Sequence, residues 1–146
     1  MPAQIYSYTP VIESGPNGRS LLAKLPEGAI ELCVLDGLTY VSVPDGATLP
    51  EQHPEITLLL VTVDSVLREK LKKASRAVTL IDQGIVDTIR SKYSIDDEQY
   101  FARIGVGVAL GAYTFEPGEQ ESLLEFGSFV EACRATGREQ RAALGL

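Results

Sequence analysis

The segment Ile30-Glu-Leu-Cys-Val-Leu-Asp-Gly-Leu-Thr-Tyr-Val-Ser-Val43 decides the fold, because it contains two strand-like runs separated only by Asp36-Gly37. Asp-Gly is a preferred two-residue loop of β-hairpins, since both residues of such a loop must accept a positive φ. Tyr40, Val41 and Val43 carry the aromatic and β-branched side chains that suit a pleated, half-buried surface. The segment therefore predicts an antiparallel hairpin over residues 30–43.

The sequence pattern changes from strand-like to helical on the carboxyl side of this hairpin, near residue 63. Seven of the eight prolines lie within residues 1–63, which alternate between short strand-like runs and turns. Gln4–Tyr8 and Ser20–Leu25 are strand-like, and Ile56–Val63 is a last apolar run. Residues 64–146 instead contain four helical segments. We expect an α+β fold with an antiparallel β lobe (residues 1–63) packed against a lobe of about four helices (residues 64–146), as two lobes or around one core.

The first two helices have clear local signals. Asp64 is a candidate N-cap, and the helix after it is expected to reach Ser75 with three apolar residues inward: Val66, Leu67 and Leu71. Its basic residues indicate either a patch for an acidic partner or a solvated face: Arg68, Lys70, Lys72, Lys73 and Arg76. The second helix, residues 77–93, has an apolar stripe at helical spacing: Val78, Ile81, Ile85, Ile89 and Tyr93. Gly84 interrupts it, which predicts close packing there.

The third helix contains a glycine-rich segment, Gly105–Gly111. Ser94 and Asp97 match a capping box that begins this helix. The spacing Gly-x-Gly-x-x-x-Gly is one residue longer than a dinucleotide fingerprint, and the residues before it are helical, so we expect no cofactor. We predict instead a small-residue surface that lets another helix approach, in this chain or in a second subunit, or a bend in the helix. Its residues are Gly107, Ala109, Gly111 and Ala112.

The last helix is expected over residues 119–136, with Gly137 as its C-cap. Its inward residues would be Leu123, Phe126, Val130 and Cys133. Its glutamates would form a solvated face, because no histidine, lysine or metal ligand accompanies them as in an acid–base pair: Glu119, Glu121, Glu125 and Glu131. Residues 138–146 are expected to form a last helical turn or a docking tail that binds a partner through Arg138, Arg141, Leu144 and Leu146.

Composition narrows the functional classes. The chain has 146 residues and a net charge of −7, of which residues 1–63 carry −5. Nucleic-acid binding needs clustered Lys and Arg, so we expect no nucleic-acid partner. The N-terminal residues lack the pattern of a signal peptide, and no apolar run reaches the roughly 20 residues that cross a bilayer. We therefore expect a cytoplasmic protein without a membrane partner.

Few residues are candidates for catalysis or for metal binding. Cys33 and Cys133 match no zinc spacing and are expected to be buried thiols of a reducing compartment, unless the two meet. His53 lies in a proline-rich loop without a carboxylate or cysteine companion, so it is expected at the surface. No set of catalytic residues, metal ligands or cofactor-binding residues is recognisable, and we expect a protein that is not an enzyme.

Two segments resemble small proteins encoded among the tail genes of tailed bacteriophages and prophages. They are Ser75-Arg-Ala-Val-Thr-Leu-Ile-Asp-Gln-Gly-Ile-Val-Asp-Thr-Ile-Arg-Ser-Lys-Tyr-Ser-Ile-Asp-Asp-Glu98 and Val130-Glu-Ala-Cys-Arg-Ala-Thr-Gly-Arg-Glu-Gln-Arg-Ala-Ala-Leu-Gly-Leu146. Leu32–Gly46 is a weaker match to the same group. A helical sequence pattern and the C-terminal segment define this group. It has no catalytic residues to carry over.

This resemblance implies a structural or interaction protein of a phage tail, or an assembly helper. Its partners would be other tail proteins or further copies of itself, in a homo-oligomer or a hetero-complex. It would be found in the host cytoplasm during assembly, or in the virion tail. The alternative is a small acidic phage-encoded module that binds a host protein, because an acidic β lobe would attract a basic partner.

Overall fold

The computed structural model describes residues 2–12 and 15–146 and confirms the α+β fold class. The strands within these residues are β1 (Gln4–Tyr8), β2 (Val11–Ile12), β3 (Ser20–Leu21), β4 (Ile30–Leu35), β5 (Leu38–Val43) and β6 (Leu59–Leu60). The helices are α1 (Ser65–Ala74), α2 (Arg76–Lys92), α3 (Ile95–Ala109) and α4 (Glu119–Ala143). Within these residues, no helix has the length and apolar character needed to cross a membrane.

The predicted hairpin lies inside an antiparallel sheet with the order β4-β5-β1-β6. Its two loop residues take positive φ values, +50° at Asp36 and +78° at Gly37. Tyr40 of β5 pairs with Ser7 of β1 on one side and Cys33 of β4 on the other. β2 and β3 form a separate two-stranded sheet. The central position of β5 explains why its residues from Thr39 to Val43 are buried.

Two of the expected strands are shorter than their sequence patterns. Only Ser20–Leu21 of residues 20–25 and Leu59–Leu60 of residues 56–63 pair as strands. The backbone of Lys24 bonds instead to a side chain: its N–H donates to Gln52 Oε1 at 2.8 Å, and Gln52 Nε2 donates to its carbonyl at 2.8 Å. An amide side chain therefore takes the place of a neighbouring strand.

The chain forms two compact units, residues 1–81 with 139–146 and residues 82–138. The division predicted at residues 63 and 64 marks the change from strands to helices. The compact units instead divide within α2 and within α4. The first unit, called the sheet unit below, therefore includes α1 and the carboxyl end of α4, and the second is called the helical unit.

The sheet unit contains two apolar clusters. One joins the sheet to α1 and α2, and its buried members are Ile5, Leu32, Tyr40, Leu71, Val78 and Leu144. The other covers Tyr8, Val41, Val43 and Ile56. Asp64 caps α1 as predicted, since the N–H of Leu67 donates to its Oδ1 at 2.7 Å. The prediction that Val66 faces inward is wrong: its side chain is 63% exposed, because it lies on another face of the helix from Leu67 and Leu71.

The helical unit has an aromatic interior. Tyr93 meets Phe101, Phe126 and Phe129 edge-on, with ring centroids 5.0 to 6.0 Å apart. Phe101 stacks on Phe126 at 4.9 Å. The capping box of α3 is present as predicted. Close packing at Gly84 was a wrong prediction, because a Cβ there would meet nothing within 4 Å on this exposed side of α2.

The last helix is longer than predicted. α4 continues through Gly137, which is buried inside the helix, so Gly137 is not its C-cap. The helix ends at Ala143, and the residue that terminates it is Gly145, where φ is +86°. The N–H groups of Gly145 and Leu146 donate to the carbonyls of Ala142 and Arg141, at 3.0 and 3.1 Å, which is a Schellman motif. A glycine in mid-helix costs about 1 kcal/mol relative to alanine, and α4 nevertheless continues through Gly137.

Candidate interaction surface on α3

The third helix is apolar on two opposite faces. Phe101 and Ile104 are buried on one face. The other face carries exposed apolar side chains at helical spacing, called the α3 stripe below: Ile95, Ala102, Val106, Ala109 and the capping residue Leu110. Ile95, Val106 and Leu110 are 56%, 58% and 77% exposed. A helix that packs by one face normally presents polar residues on the other, so the α3 stripe is the unusual feature of this helix.

The carboxyl end of α3 explains Gly111. Its φ is +71°, a conformation that glycine adopts without steric cost. The N–H of Gly111 donates to the carbonyl of Val108 at 3.0 Å, and that of Ala112 donates to Gly107 at 2.8 Å. These two bonds form a Schellman motif like the one that ends α4. The glycine-rich segment is therefore where the helix ends, which differs from the predicted bend within a continuing helix.

Gly107 is explained by a close contact within the chain. A Cβ at Gly107 would lie 2.8 Å from Cβ of Tyr113, which is closer than two carbon atoms that are not bonded to each other approach. The chain returns over the helix end, and the N–H of Tyr113 also donates to the carbonyl of Gly107 at 3.1 Å. The approaching group is thus a residue of the following loop and not another helix. A partner contact at Gly107, Gly111 or Ala112 stays a prediction.

A buried carboxylate holds this loop in place. Glu119, at the first position of α4, is 8% exposed. Its Oε1 accepts from the Tyr113 hydroxyl and from the N–H of Glu116, each at 2.7 Å. Its Oε2 accepts from the hydroxyl of Tyr100 on α3. One side chain therefore joins α3, the loop after it and the start of α4.

The expectation that Glu119 is solvated is wrong, whereas Glu121, Glu125 and Glu131 are exposed as predicted. The spacing contains a signal that was missed. Glu119 lies four residues before Leu123 and seven before Phe126, so it shares the inward face of α4. A carboxylate on that face needs donors, and the two tyrosines provide them.

The electrostatics of this cluster favour one charge state. Hydrogen bonds from Tyr100, Tyr113 and the Glu116 backbone lower the pKa of Glu119, in that order of importance. The bond to Glu119 is also the main cause that raises the pKa of Tyr113 to about 12 and raises the pKa of Tyr100. An ionised carboxylate with two protonated phenols is thus the stable arrangement. It anchors the end of the α3 stripe.

The predicted contact residues of the C-terminal segment lie in different environments. Arg138 is exposed and donates to Glu131 Oε1 at 2.5 Å. Leu144 is 8% exposed in the core of the sheet unit, and Leu146 packs against that core. The docking surface predicted for Leu144 is therefore inside this chain, because the Schellman motif directs it onto the sheet. Arg141 is half-buried.

The remaining chemical candidates have local roles. His53 is exposed as predicted, and its Nδ1 accepts from the N–H of Glu55 at 3.2 Å. Both cysteines are free; Cys133 is buried and Cys33 is half-buried. Burial, with a smaller contribution from Glu31, raises the pKa of the Cys33 thiol. Among the described residues, no group of three or more His, Cys, Asp or Glu side chains could hold a metal ion.

Comparisons of this chain with known proteins found no relative. No protein-family model, curated protein or solved structure matches the chain.

Proposed function

We propose that this chain acts through protein–protein contacts as a component of a bacteriophage tail, or as a helper in its assembly, and that it is not an enzyme. The observation that carries the interaction role is the exposed α3 stripe. Large apolar side chains that remain exposed along one helix face favour association, because contact removes them from water. The resemblance of Ser75–Glu98 and Val130–Leu146 to tail-gene proteins supports the phage context.

The α3 stripe suits a contact for a second reason, which is rigidity. The capping box orders its first turn, and the Glu119 cluster and the Schellman motif order its last. A preorganised helix face loses little conformational entropy when a partner binds. We therefore expect the wild-type protein to form a homo-oligomer or a complex with another tail protein.

The test replaces Val106 and Leu110 together by aspartate. We expect the wild-type protein to show a native mass above that of the monomer by light scattering, and the variant to be monomeric with an unchanged helix content. Val66→Asp and Leu124→Asp are matched controls, since these residues are 63% exposed on other helices. A wild-type mass that is monomeric at every concentration, or a variant that assembles like the wild type, contradicts a homo-oligomer built through α3.

The phage context requires its own test. An affinity-tagged chain expressed during tail assembly should co-purify with tail proteins, and the Val106→Asp, Leu110→Asp variant should not. Recovery of neither version with tail proteins contradicts the tail assignment.

The second candidate is an acidic module that binds a host protein. It is favoured by the charge of residues 1–63, which hold seven acidic and two basic residues. Charge-driven association weakens as salt screens it, whereas a contact through the α3 stripe depends little on salt. A monomeric chain with a salt-sensitive heteromeric contact supports this candidate.

A further inference from the structure

The two edges of the four-stranded sheet differ. Within the described residues, β4 forms one edge and β6 the other. The pairing of β4 is irregular between Glu31 and Cys33, and α1 packs against this strand. Irregular pairing, a charged side chain and a covering helix are devices that keep an edge from pairing with another chain. The β6 edge lacks the first two, because its pairing is regular and residues 56–63 contain no charged residue and no proline.

The backbone of the β6 edge directs polar groups away from the sheet. Leu59 pairs with Ser7 of β1, and the N–H of Val61 donates to the carbonyl of Ile5 at 2.8 Å. In an antiparallel pair, the hydrogen-bonding groups of successive residues point to opposite sides of the strand, so those of Leu60 point away from β1. The same alternation applies to Leu58 and Thr62. Among the described residues, no group bonds to the outward N–H and C=O of these three residues.

The side chains of this edge are apolar and exposed. Leu59 is 59% exposed and Leu60 is 62% exposed. Neighbouring residues of a strand lie on opposite faces of the sheet, so apolar surface is exposed on both faces at this edge. An added strand would remove this surface from water and would also bond to the outward backbone groups. Backbone and side chains therefore point to the same ligand, an extended polypeptide segment.

Charge distinguishes a second copy of this chain from a different partner. The charged residues that flank the segment are acidic, namely Glu51, Glu55 and Asp64. If two copies paired antiparallel about Leu60, Glu55 of each copy would lie beside Asp64 of the other, and like charges on neighbouring strands are destabilising. A segment with lysine or arginine at its ends would instead meet charges of the opposite sign.

We propose that the β6 edge binds an extended segment of a partner protein by strand addition, and that this segment is uncharged in its middle and basic at both ends. Its backbone bonds to Leu58, Leu60 and Thr62. Its middle side chains cover Leu59 and Leu60 on the two faces. This edge lies in the sheet unit and is a second surface beside the α3 stripe, so the inference goes beyond the proposed function.

The first experiment adds a ten-residue peptide to the full chain and follows ¹H–¹⁵N NMR spectra and amide hydrogen exchange. The peptide alternates valine and threonine between two terminal lysines, and the control peptide has glutamates in place of the lysines. With the lysine peptide we expect saturable shifts at Leu58, Leu60 and Thr62, and exchange of their amides slowed roughly ten-fold or more. The glutamate peptide should bind more weakly.

Three outcomes overturn the proposal. The first is an absence of saturable shifts at these residues, and the second is equal affinity for the two peptides. The third is exchange that slows as the concentration of the chain alone is raised, because a second copy then occupies the edge.

A pair of variants tests the backbone contact. Leu60→Pro removes an N–H that makes no bond to β1, so the variant is compatible with an edge strand and should lose the saturable shifts. Leu60→Ala is the matched control, because it keeps the N–H and shortens only the side chain, and it should weaken binding roughly two- to five-fold. Thr62→Pro repeats the test at the next outward N–H if Leu60→Pro does not fold. Retained binding in a folded proline variant overturns strand addition.

Discussion

The sheet unit and the helical unit bury their interiors by different means. In the sheet unit, Leu71 is completely buried between the sheet and the helices, and Val41 is completely buried in the second apolar cluster, among residues of strands and loops. In the helical unit, Phe101 retains 9% exposure, and the rings of its aromatic cluster meet mainly by their edges. The helical unit also buries the carboxylate of Glu119, while the buried polar residues of the sheet unit are uncharged hydroxyls, such as Ser7, Thr39 and Ser42.

This difference shows how two small units of one chain can be held by unlike interactions. Aliphatic burial is non-directional and scales with the area removed from water. Edge-to-face rings and a charged hydrogen-bond cluster depend on geometry, so they position an element more sharply. The sheet unit is therefore expected to carry the larger share of stability, and the helical unit to hold the α3 stripe in a defined orientation.

The largest effect is expected from Leu71→Ala in the sheet unit. Leu71 is 0% exposed, so its truncation leaves a cavity and should lower the free energy of unfolding by about 2–5 kcal/mol. Val66→Ala is the control on the same helix, and this exposed residue should change the value by less than about 0.5 kcal/mol. Chemical denaturation measures both. Similar losses in the two variants would break the contrast between buried and exposed faces.

A smaller loss is expected from Gly145→Ala, which tests how the chain end is fixed on the sheet. Its φ is +86°, and a Cβ there would lie 2.7 Å from the carbonyl oxygen of Ala3. The strained conformation and the contact should together cost about 1–3 kcal/mol. Gly111→Ala has the positive φ without the contact and should cost less. An equal loss of stability in both variants would mean that the contact with Ala3 does not contribute to the cost of Gly145→Ala.

A change of stability with pH is expected from the helical unit, because it contains the hydrogen bond between Tyr113 and Glu119. Tyr113 loses its proton near pH 10 in an unfolded chain and near 12 in the fold, where Glu119 holds the proton in place. Between these values the unfolded state binds fewer protons, so stability falls as pH rises from about 10 to about 12. In Glu119→Gln, the phenolate absorbance of Tyr113 should appear at lower pH.

Glu121→Gln is the matched control for this experiment, because that glutamate lies two residues along the same helix and is exposed. It should leave the titration of Tyr113 unchanged. A titration of Tyr113 that does not move in Glu119→Gln contradicts the hydrogen bond between these residues.

The smallest effect, with the opposite sign, is expected from Gly84→Ala on α2. A Cβ at this position meets nothing within 4 Å, and alanine restricts the unfolded chain more than glycine does. Stability should rise by about 0.5–1 kcal/mol, measured by denaturation in parallel with the wild type. A loss of stability would mean that Gly84 is needed for a contact after all.

Local signals were sufficient for several elements. The hairpin over residues 30–43, the Asp64 cap and the Ser94–Asp97 capping box depend on residues close together in the chain, and all three are present. Non-local features were missed: the Gln52 bonds to Lys24 join residues far apart, and no pattern in either segment indicates them. The spacing of the α3 stripe is visible in the sequence, but it does not show that this apolar face stays exposed, because distant segments decide which face of α3 is covered.

The sequence by itself determined the α+β class, every element except β2 and the residues that begin most helices, because periodicity and capping act over four residues or fewer. Only the tertiary structure decided where Gly137, Leu144 and Glu119 lie. A glycine ends a helix only if the residue takes a positive φ there, a terminal leucine is free only if no core receives it, and a glutamate is solvated only if no donors surround it. Each of these conditions depends on distant segments that meet only in the folded chain.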